Sequence, residues 1–322
     1  QVVKFYLSYN NYYYMKSVQS NIKKAKKLLD KNHCIAVPTE TVYGLAGNAY
    51  SDISVKRIFK MKKRPMNNPL IVHYSDINKL KEDCHFNDNF LKLYKKFSPG
   101  PITFVLKLKR KTKISRFVTN KHKNLAVRFP KHKLFKKLLK KLDYPLAAPS
   151  ANISNKLSSV KASDVKDEFG SKLKYVLDGG RCSVGLESTI ISLIDKPTIL
   201  RQGGLEISKI QKNIKEKILV STSPKNKIAP GQFTLHYSPG IPVRINVLKP
   251  KKGEAFLLMK KRKKNSKNYF YLTKKNDLKE AARNLYSVLR KIKNKGYKGI
   301  AVEKILNTGL GKTINDRLIR AS

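Results

Sequence analysis

Acidic residues are scarce in this chain: 21 Asp and Glu stand against 70 Lys and Arg, and the formal net charge at pH 7 is +49. An excess of positive charge this large is typical of a protein with a polyanionic partner, above all RNA. The lysines, however, are spread over nearly every predicted helix, and Lys, Asn, Ile and Tyr are all frequent. This even spread favours a general drift of composition, so direct RNA contact is kept as a secondary hypothesis.

Arginine is scarce too, because only 13 of the 70 basic residues are Arg. A guanidinium group offers a planar, bidentate fork that the ammonium group of Lys cannot copy. Arginines inside polar motifs therefore stand out as candidate anion contacts, and three of them are Arg64, Arg128 and Arg201.

Cysteines and long hydrophobic runs are equally limited. Cys34, Cys84 and Cys182 are odd in number and far apart, which excludes a disulfide framework and a cysteine metal site and favours a reducing cytoplasm. No apolar run approaches the ~18 residues of a membrane span. No secretory signal is visible at the N-terminus. Residues 1–16 are predicted to form an N-terminal tail, with Met15 as a candidate translation start.

Several common motifs are also missing. The chain has no Walker loop, no Gly-x-Gly-x-x-Gly, no His-Glu-x-x-His and no nucleophile elbow. A bound anion would therefore be held by scattered side chains that converge in a cavity, and not by one glycine-rich loop.

Helix and strand patterns alternate through residues 17–217, which predicts an α/β or α+β domain with a mixed sheet. Helices are expected at 17–31, from 52 to before Pro65, and at 76–82, 88–97, 131–142 and 206–217. Strands are expected at 34–38, 70–73, 102–108, 125–129, 146–149, 174–178, 188–194 and 197–200.

Residues 218–240 lack periodicity and hold three prolines and two glycines, which predicts a linker or lid. A second αβ pattern follows and predicts a smaller domain over residues 241–322. Its strands are expected at 242–248, 254–259, 268–272 and 299–302, and its helices at 277–294 and 311–320.

Polar motifs lie at or near the ends of predicted helices and strands in the first domain. Lys62-Lys63-Arg64 has the charges of a phosphate clamp, although taken alone it fits better a solvated basic helix end, which is common in so basic a chain. Ser150-Ala-Asn152 follows a strand of small residues, which suits close approach to a ligand but also suits a simple turn. Arg128 lies within an apolar strand and must be paired with a carboxylate of protein or substrate. His73 ends its strand either as a structural residue or as a ligand contact.

Taken in order, these motifs resemble the Sua5/YrdC family of threonylcarbamoyl-AMP synthases over residues 17–322. The segment Pro38-Thr-Glu-Thr-Val-Tyr-Gly-Leu resembles the family's opening signature, and Lys62-x-Arg64 and Ser150-x-Asn152 match its paired motifs. Further matches are Asp178-Gly-Gly, Glu187-Ser-Thr, Ile199-Leu-Arg201 and, for the longer Sua5 form, His236-Tyr-Ser-Pro, Gly309-Leu-Gly and Asn315-Asp-Arg-Leu.

The resemblance implies an α/β fold, with a twisted mixed-sheet YrdC-like domain around a concave basic cavity and a smaller Rossmann-like Sua5 domain. It implies a nucleotidyltransferase that makes L-threonylcarbamoyladenylate and diphosphate from L-threonine, bicarbonate or CO2, and ATP. The product would feed t6A modification of tRNA through a separate transferase complex. Mg2+ would be carried by the ATP phosphates, without a dedicated protein site.

The resemblance also implies roles for single residues. The catalytic group would be Lys62, Arg64, Ser150 and Asn152. The ATP site would contain Arg64, Asn68, Asn124, Ser150, Asn152, Ser158, Arg201 and Tyr237. The threonine pocket would contain Thr41, His73, Arg128, Ala148 and Ser188, with Arg128 holding the carboxylate.

Two other functions are compatible with parts of this pattern. A non-enzymatic RNA-binding protein would explain the charge, but no RNA-module motif is apparent and aromatics are not interleaved with the basic clusters. A carbamoyltransferase of hydrogenase maturation shares a YrdC-like module, but it adds an acylphosphatase domain and zinc-finger cysteines that three scattered cysteines do not supply.

Overall fold

The computed structural model describes residues 17–221, 236–262 and 266–322. The predicted N-terminal tail at 1–16 and most of the predicted linker lie outside these residues. Within them, the chain folds as a large mixed sheet with helices, followed by a smaller parallel sheet with two helices.

The first part of the chain supplies eight of the described helices. They are α1 (17–30), α2 (Asp52–Lys62), α3 (Ile77–Leu80), α4 (Asp88–Phe97), α5 (Arg116–Thr119), α6 (Lys133–Lys140), α7 (Ala162–Phe169) and α8 (Ile207–Gln211). A short 3-10 turn at Gly170–Lys172 follows α7.

The second part of the chain supplies α9 (Leu278–Asn294) and α10 (Leu310–Ile319).

Helix α2 shows how sequence sets these bounds. The hydroxyl of Ser51 caps its first turn by accepting from the Ser54 amide at 3.2 Å. Val55, Ile58 and Phe59 fall on one buried face. The helix ends where Lys63 adopts the left-handed conformation at φ 49°.

Within the described residues, the larger sheet has the strand order β1-β2-β6-β3-β5-β4-β7-β8-β9. Its strands are β1 (Ile35–Val37), β2 (Gly44–Asn48), β3 (Ile71–His73), β4 (Ile102–Lys107), β5 (Asn124–Arg128), β6 (Leu146–Ala147), β7 (Thr189–Ser192), β8 (Thr198–Arg201) and β9 (Leu219–Val220). The sheet combines parallel pairs (β3–β5, β4–β7, β8–β9) with antiparallel ones, as expected for a mixed sheet.

The described strands of the smaller sheet pair in parallel in the order β10-β13-β11-β12. They are β10 (Val243–Arg244), β11 (Glu254–Lys260), β12 (Tyr269–Thr273) and β13 (Gly299–Val302). Helix α9 packs on β12 and α10 packs on α9. One buried apolar cluster runs from the large sheet into both helices, because Tyr237, Leu285 and Ile314 belong to it together with Leu186. The two parts of the chain therefore share a core.

The predicted mixed α/β architecture is confirmed, and most predicted elements are present with shifted ends. The predicted strand at 174–178 is wrong: this stretch is irregular and makes only a single bridge, from Val176 to Ala36. The prediction also missed β2, α5, α7 and the short strand β9, which lies inside the predicted linker. The predicted domain limits at 17–217, 218–240 and 241–322 stay predictions.

Candidate active site

Strand ends of the large sheet bring polar side chains to one place. His73 and Arg128 are paired neighbours at the carboxyl ends of the parallel strands β3 and β5. Arg201 ends β8 opposite Ile190 of β7, and Ser188 lies just before β7. The Arg201 guanidinium donates to the Ser188 carbonyl at 2.9 Å and to its hydroxyl at 3.2 Å. The carboxyl edge of such a sheet is where α/β proteins usually bind ligands.

Two loops bring further polar groups to the same cavity. After α2 the backbone folds back, and the Arg64 amide bonds the Phe59 carbonyl at 3.0 Å. The Arg64 side chain then donates to the carbonyls of Asn68, at 3.0 Å, and Pro69, at 2.9 Å, and to the Asn68 side chain. The loop after β6 carries Ser150 to this point. Side chains more than 130 residues apart in sequence thus face one cavity.

The cavity is lined by residues from both predicted subsites and by several that were not predicted. They are Thr39, Val42, Tyr43, Gly44, Arg64, Ile71, His73, Arg128, Ala148, Pro149, Ser150, Glu187, Ser188, Arg201, His236 and Tyr237. Its volume is about 40 Å³, which is room for only a few water molecules. A nucleotide would therefore require the walls to move apart.

Two guanidinium groups dominate the electrostatics of the cavity. Arg64 and Arg201 are both buried, and burial together with the charge of Arg201 lowers the pKa of Arg64 to about 9. Among the described residues neither forms a salt bridge to a carboxylate. An anionic ligand that binds between these two buried cations would reduce the repulsion between them.

Several buried polar atoms of the cavity residues have no hydrogen-bond partner within the described part of the chain. They are His73 Nδ1, Arg128 Nε, His236 Nδ1 and Tyr237 OH. Buried polar groups in native proteins are nearly always paired, with protein, water or ligand. Their convergence on one cavity therefore marks it as a ligand site.

Arg128 is paired as its sequence position required. Its guanidinium donates to the Glu40 carboxylate at 2.7 Å, and both side chains are buried. The second Glu40 oxygen accepts from the Lys131 amide at 3.0 Å. The neighbouring His73 is also buried. Its burial, and to a smaller extent the positive charge of Arg128, lowers the pKa of His73 to about 3. His73 is therefore neutral at pH 7 and does not repel a second cation.

Lys62 and Asn152, both predicted catalytic residues, do not line the cavity. The Lys62 ammonium instead donates to the backbone carbonyls of Ser150 and Asn152, at 2.5 Å each. Burial, and then the charge of Arg64, holds the pKa of Lys62 well below its usual range. The Asn152 amide donates to the carbonyls of Ile153 and Lys156, at 2.7 and 3.0 Å. Both residues therefore shape the loop that presents Ser150.

The remaining predicted residues do not line the cavity. Thr41 is buried, and its hydroxyl lies 2.8 Å from that of Thr39, which does line the cavity. Asn68 accepts from Arg64, and Ser158 donates to Glu187 at 2.7 Å. Asn124 begins β5 and is half-buried, two residues before the strand position that pairs with Ile71. The roles predicted for all these residues stay predictions.

The predicted subsites did not include Glu187 or His236, which both line the cavity. Glu187 had a recognisable signal, because a carboxylate directly before the buried strand β7 must be paired. Burial would raise the pKa of Glu187, but Arg317 and Arg201, with the Ser158 hydroxyl, hold it at about 2.

No group of three or more His, Cys, Asp and Glu suitable for a metal occurs among the described residues. Glu187 is committed to Arg317 and Glu40 to Arg128. In the ranges that the structure describes, no helix is both long and apolar enough to cross a membrane. Cys34, Cys84 and Cys182 are free and buried.

Comparison with known proteins identifies the family. Residues 27–203 match the Sua5–YciO–YrdC family, described as "Telomere recombination", and residues 205–322 match the "Threonylcarbamoyl-AMP synthase, C-terminal domain". The threonylcarbamoyl-AMP synthase of Pyrococcus abyssi is 34% identical, covering 94% of each chain. That of Bacillus subtilis is 33% identical, covering 94% of this chain and 92% of its own. The chain belongs to the Sua5/YrdC family, in its two-domain form.

Solved structures agree with this assignment. The crystal structure of Pyrococcus abyssi Sua5 complexed with L-threonine matches with a TM-score of 0.86, 34% identity and coverage of 94% of each chain. Full-length HypF matches with a TM-score of 0.51 and 20% identity over 57% of this chain, which shows a shared fold alone. The C-terminal match favours the synthase over the carbamoyltransferase alternative.

Proposed function

We infer that this protein is an L-threonylcarbamoyladenylate synthase, which joins L-threonine, bicarbonate or CO2, and ATP and releases diphosphate. Relatives over nearly the whole chain carry this name, and one of them was crystallised with L-threonine. The observation that supports the proposal most is one cavity that gathers two buried guanidinium groups, neither in a salt bridge with a described residue, together with Arg128 and a neutral histidine.

The chemistry needs no protein nucleophile. The threonine amine attacks the carbon of CO2, with loss of a proton from nitrogen to solvent, or of bicarbonate, with breakage of a C–O bond and loss of water. The resulting carbamate oxygen attacks the α-phosphorus of ATP, and the bond from that phosphorus to the departing diphosphate breaks. Holding the reactants together can supply ~7–11 kcal/mol of barrier reduction in favourable cases. Positive groups aimed at the phosphates stabilise the charge that develops there.

The proposed threonine pocket is formed by His73, Arg128, Ala148 and Ser188, with Thr41 behind it. Arg128 would hold the carboxylate with the nitrogen that Glu40 leaves unpaired. Neutral His73 would face the amine or hydroxyl without repelling the ammonium form.

The proposed ATP site adds Arg64, Ser150, Arg201 and Tyr237 on the cavity wall. Asn68, Asn124, Asn152, Ser158 and Lys62 would support it. Mg2+ would arrive on the ATP phosphates, because the nearby carboxylates are already paired.

The limits proposed for the parts of the chain are 17–217 for the catalytic domain, 218–240 for a linker that closes as a lid, and 241–322 for the C-terminal domain. His236 and Tyr237, at the end of that linker, form part of the cavity wall, which supports the lid. The product would serve tRNA t6A formation with a separate transferase complex in the cytoplasm, and direct RNA contact would be secondary.

The decisive assay supplies purified protein with L-threonine, bicarbonate and Mg-ATP and measures diphosphate and a threonine-containing adenylate. We expect both products to depend on threonine. Arg64→Met should lower turnover on the order of 100-fold, since a preorganised charge contact is lost. Arg57→Met is the matched control, because Arg57 lies on helix α2, just before the loop that carries Arg64, and bonds the Asn32 carbonyl at the surface. Diphosphate release without threonine dependence, or none at all, would refute the proposal and favour a nucleic-acid-binding protein.

A further inference from the structure

The carboxylate of Glu187, on the cavity wall, is held by helices of the C-terminal domain. Tyr286 of α9 donates its hydroxyl to the two Glu187 oxygens at 2.9 and 3.0 Å. Arg317 of α10 forms a salt bridge to it at 2.8 Å. The catalytic domain itself supplies only the Ser158 hydroxyl, at 2.7 Å. The salt-bridge partner of this buried carboxylate therefore comes from outside the catalytic domain.

Arg317 reaches three parts of the cavity wall while lying outside it. Its side chain is 1% exposed. Besides Glu187, its guanidinium donates to the Gln202 carbonyl at 2.8 Å and lies 4.6 Å from the centre of the Tyr237 ring. Glu187 and Gln202 are the chain neighbours of Ser188 and Arg201. Arg317 thus holds a chain neighbour of each residue of the Arg201–Ser188 contact, Glu187 through its side chain and Gln202 through its backbone carbonyl.

The packing around this contact is tight. A side-chain carbon at Gly203 would lie 2.3 Å from the Ser188 backbone, so the loop at 202–203 presses directly on the start of β7. Thr313 of α10 donates to the Gly203 carbonyl at 3.1 Å. Helix α10 therefore holds this loop at two points.

We propose that Arg317 is a positioning residue for the ATP site: by pairing with Glu187, it prevents that carboxylate from pairing with Arg201 and keeps the Arg201 guanidinium available to an anionic phosphate group. This inference rests on the proposed function, since it assigns Arg201 to ATP. Arg201 bonds Ser188 through Nε and Nη2, and its Nη1 has no hydrogen bond to any described residue. Without Arg317, Arg201 is the remaining cation beside Glu187, as their Coulombic coupling indicates.

The test measures Mg-ATP affinity of the full chain by calorimetry. Arg317→Met should raise Kd about tenfold or more, because a charge-assisted contact is lost from the ligand. The double variant Arg317→Met/Glu187→Gln should return Kd to within about threefold of wild type, since the competing carboxylate is gone. Arg244→Met is the matched control: Arg244 pairs with Glu254 at 2.7 Å in the same domain, away from the cavity, and its loss should leave Kd unchanged.

A purely structural role predicts a different result. In that case the double variant would bind ATP as weakly as Arg317→Met, which would overturn the inference. Unchanged affinity in folded Arg317→Met would overturn it as well. If that variant does not fold, Arg317→Lys decides, because it keeps a cation beside Glu187 but loses the guanidinium fork that also bonds the Gln202 carbonyl. ATP affinity within about threefold of wild type supports the inference, and a loss of about tenfold or more overturns it.

The readout also separates this inference from the proposed function. Wild-type protein that binds ATP but releases no threonine-dependent diphosphate would refute the synthase and leave the role of Arg317 standing. Normal synthase activity combined with unchanged ATP affinity in Arg317→Met would refute the role of Arg317 alone.

Discussion

At the scale of single residues, Arg128 shows what a sequence can and cannot specify. A guanidinium in an apolar strand had to meet a carboxylate, and burial of the Arg128–Glu40 pair meets that requirement. The identity of the partner was not predictable, because 88 residues separate the two and only the fold brings them together. The pair also leaves Arg128 Nε without a partner, which is where a substrate carboxylate would bind.

We predict that Arg128→Ala raises the KM for threonine at least tenfold and changes the KM for ATP little. Loss of a hydrogen bond to a charged group costs ~1.5–3 kcal/mol, which corresponds to roughly 10- to 100-fold in affinity. Steady-state kinetics with each substrate varied in turn measures the split. Arg116→Ala, at an exposed position, should change neither constant. Equal increases in both KM values would remove Arg128 from the threonine pocket.

At the scale of elements, the end of helix α2 was read from sequence as a phosphate clamp. Arg64 does line the cavity, but the Lys62 ammonium instead donates hydrogen bonds to the backbone carbonyls of Ser150 and Asn152. Sequence spacing could not separate these roles, because Lys62 and Arg64 are two residues apart at a helix end. The left-handed turn at Lys63 decides which side chain points where.

Lys62→Met should lower the free energy of unfolding by about 1–3 kcal/mol, because two buried carbonyls lose their donor. ATP affinity should fall in the same variant, since the loop that carries Ser150 loses its anchor. Chemical denaturation and calorimetry measure the two effects. Lys60→Met, on the exposed side of the same helix, should cause neither. Weaker ATP binding with unchanged stability would instead indicate a direct phosphate contact.

Errors in the predicted elements have identifiable causes. Strand β2 reads Gly-Leu-Ala-Gly-Asn, which is small and lacks alternation, yet it is buried by pairing with β1 and β6 on either side. The stretch at 174–178 has the apolar residues of a strand, but it crosses the edge strand β1 at a single bridge. Tertiary position decided both outcomes, and no local pattern carries that information.

At the scale of the whole molecule, sequence patterns and motifs predict the mixed sheet, the second αβ unit and all three arginines that line the cavity. They could not reveal that Glu187 depends on Tyr286 and Arg317, which lie 99 and 130 residues away. Buried partners of this kind come from docking of one part of the chain on another. The stability of the cavity and that of the interface are therefore coupled.

Burial of two cavity histidines makes the stability of the molecule depend on pH. Burial lowers the pKa of His73 and of His236 to about 3, whereas an unfolded histidine titrates near 6.5. Between these values the unfolded chain binds more protons than the folded one, so stability falls as pH falls below about 6.5. Glu187 adds a second loss only below pH 4.5, since its pKa of about 2 lies under its ordinary value.

We predict a plateau of unfolding free energy above about pH 6.5 and a decline toward pH 4.5, with each buried histidine contributing about 1.4 kcal/mol per pH unit at most. Urea denaturation at pH values of about 7.5, 6.5, 5.5 and 4.5 measures the slope of unfolding free energy against pH. His236→Asn should roughly halve it, because one proton-linked site is removed. His85→Asn, at an exposed position, should leave it unchanged. A flat profile across this range would show that both histidines become protonated without opening the cavity, and would contradict their neutral, ligand-facing state.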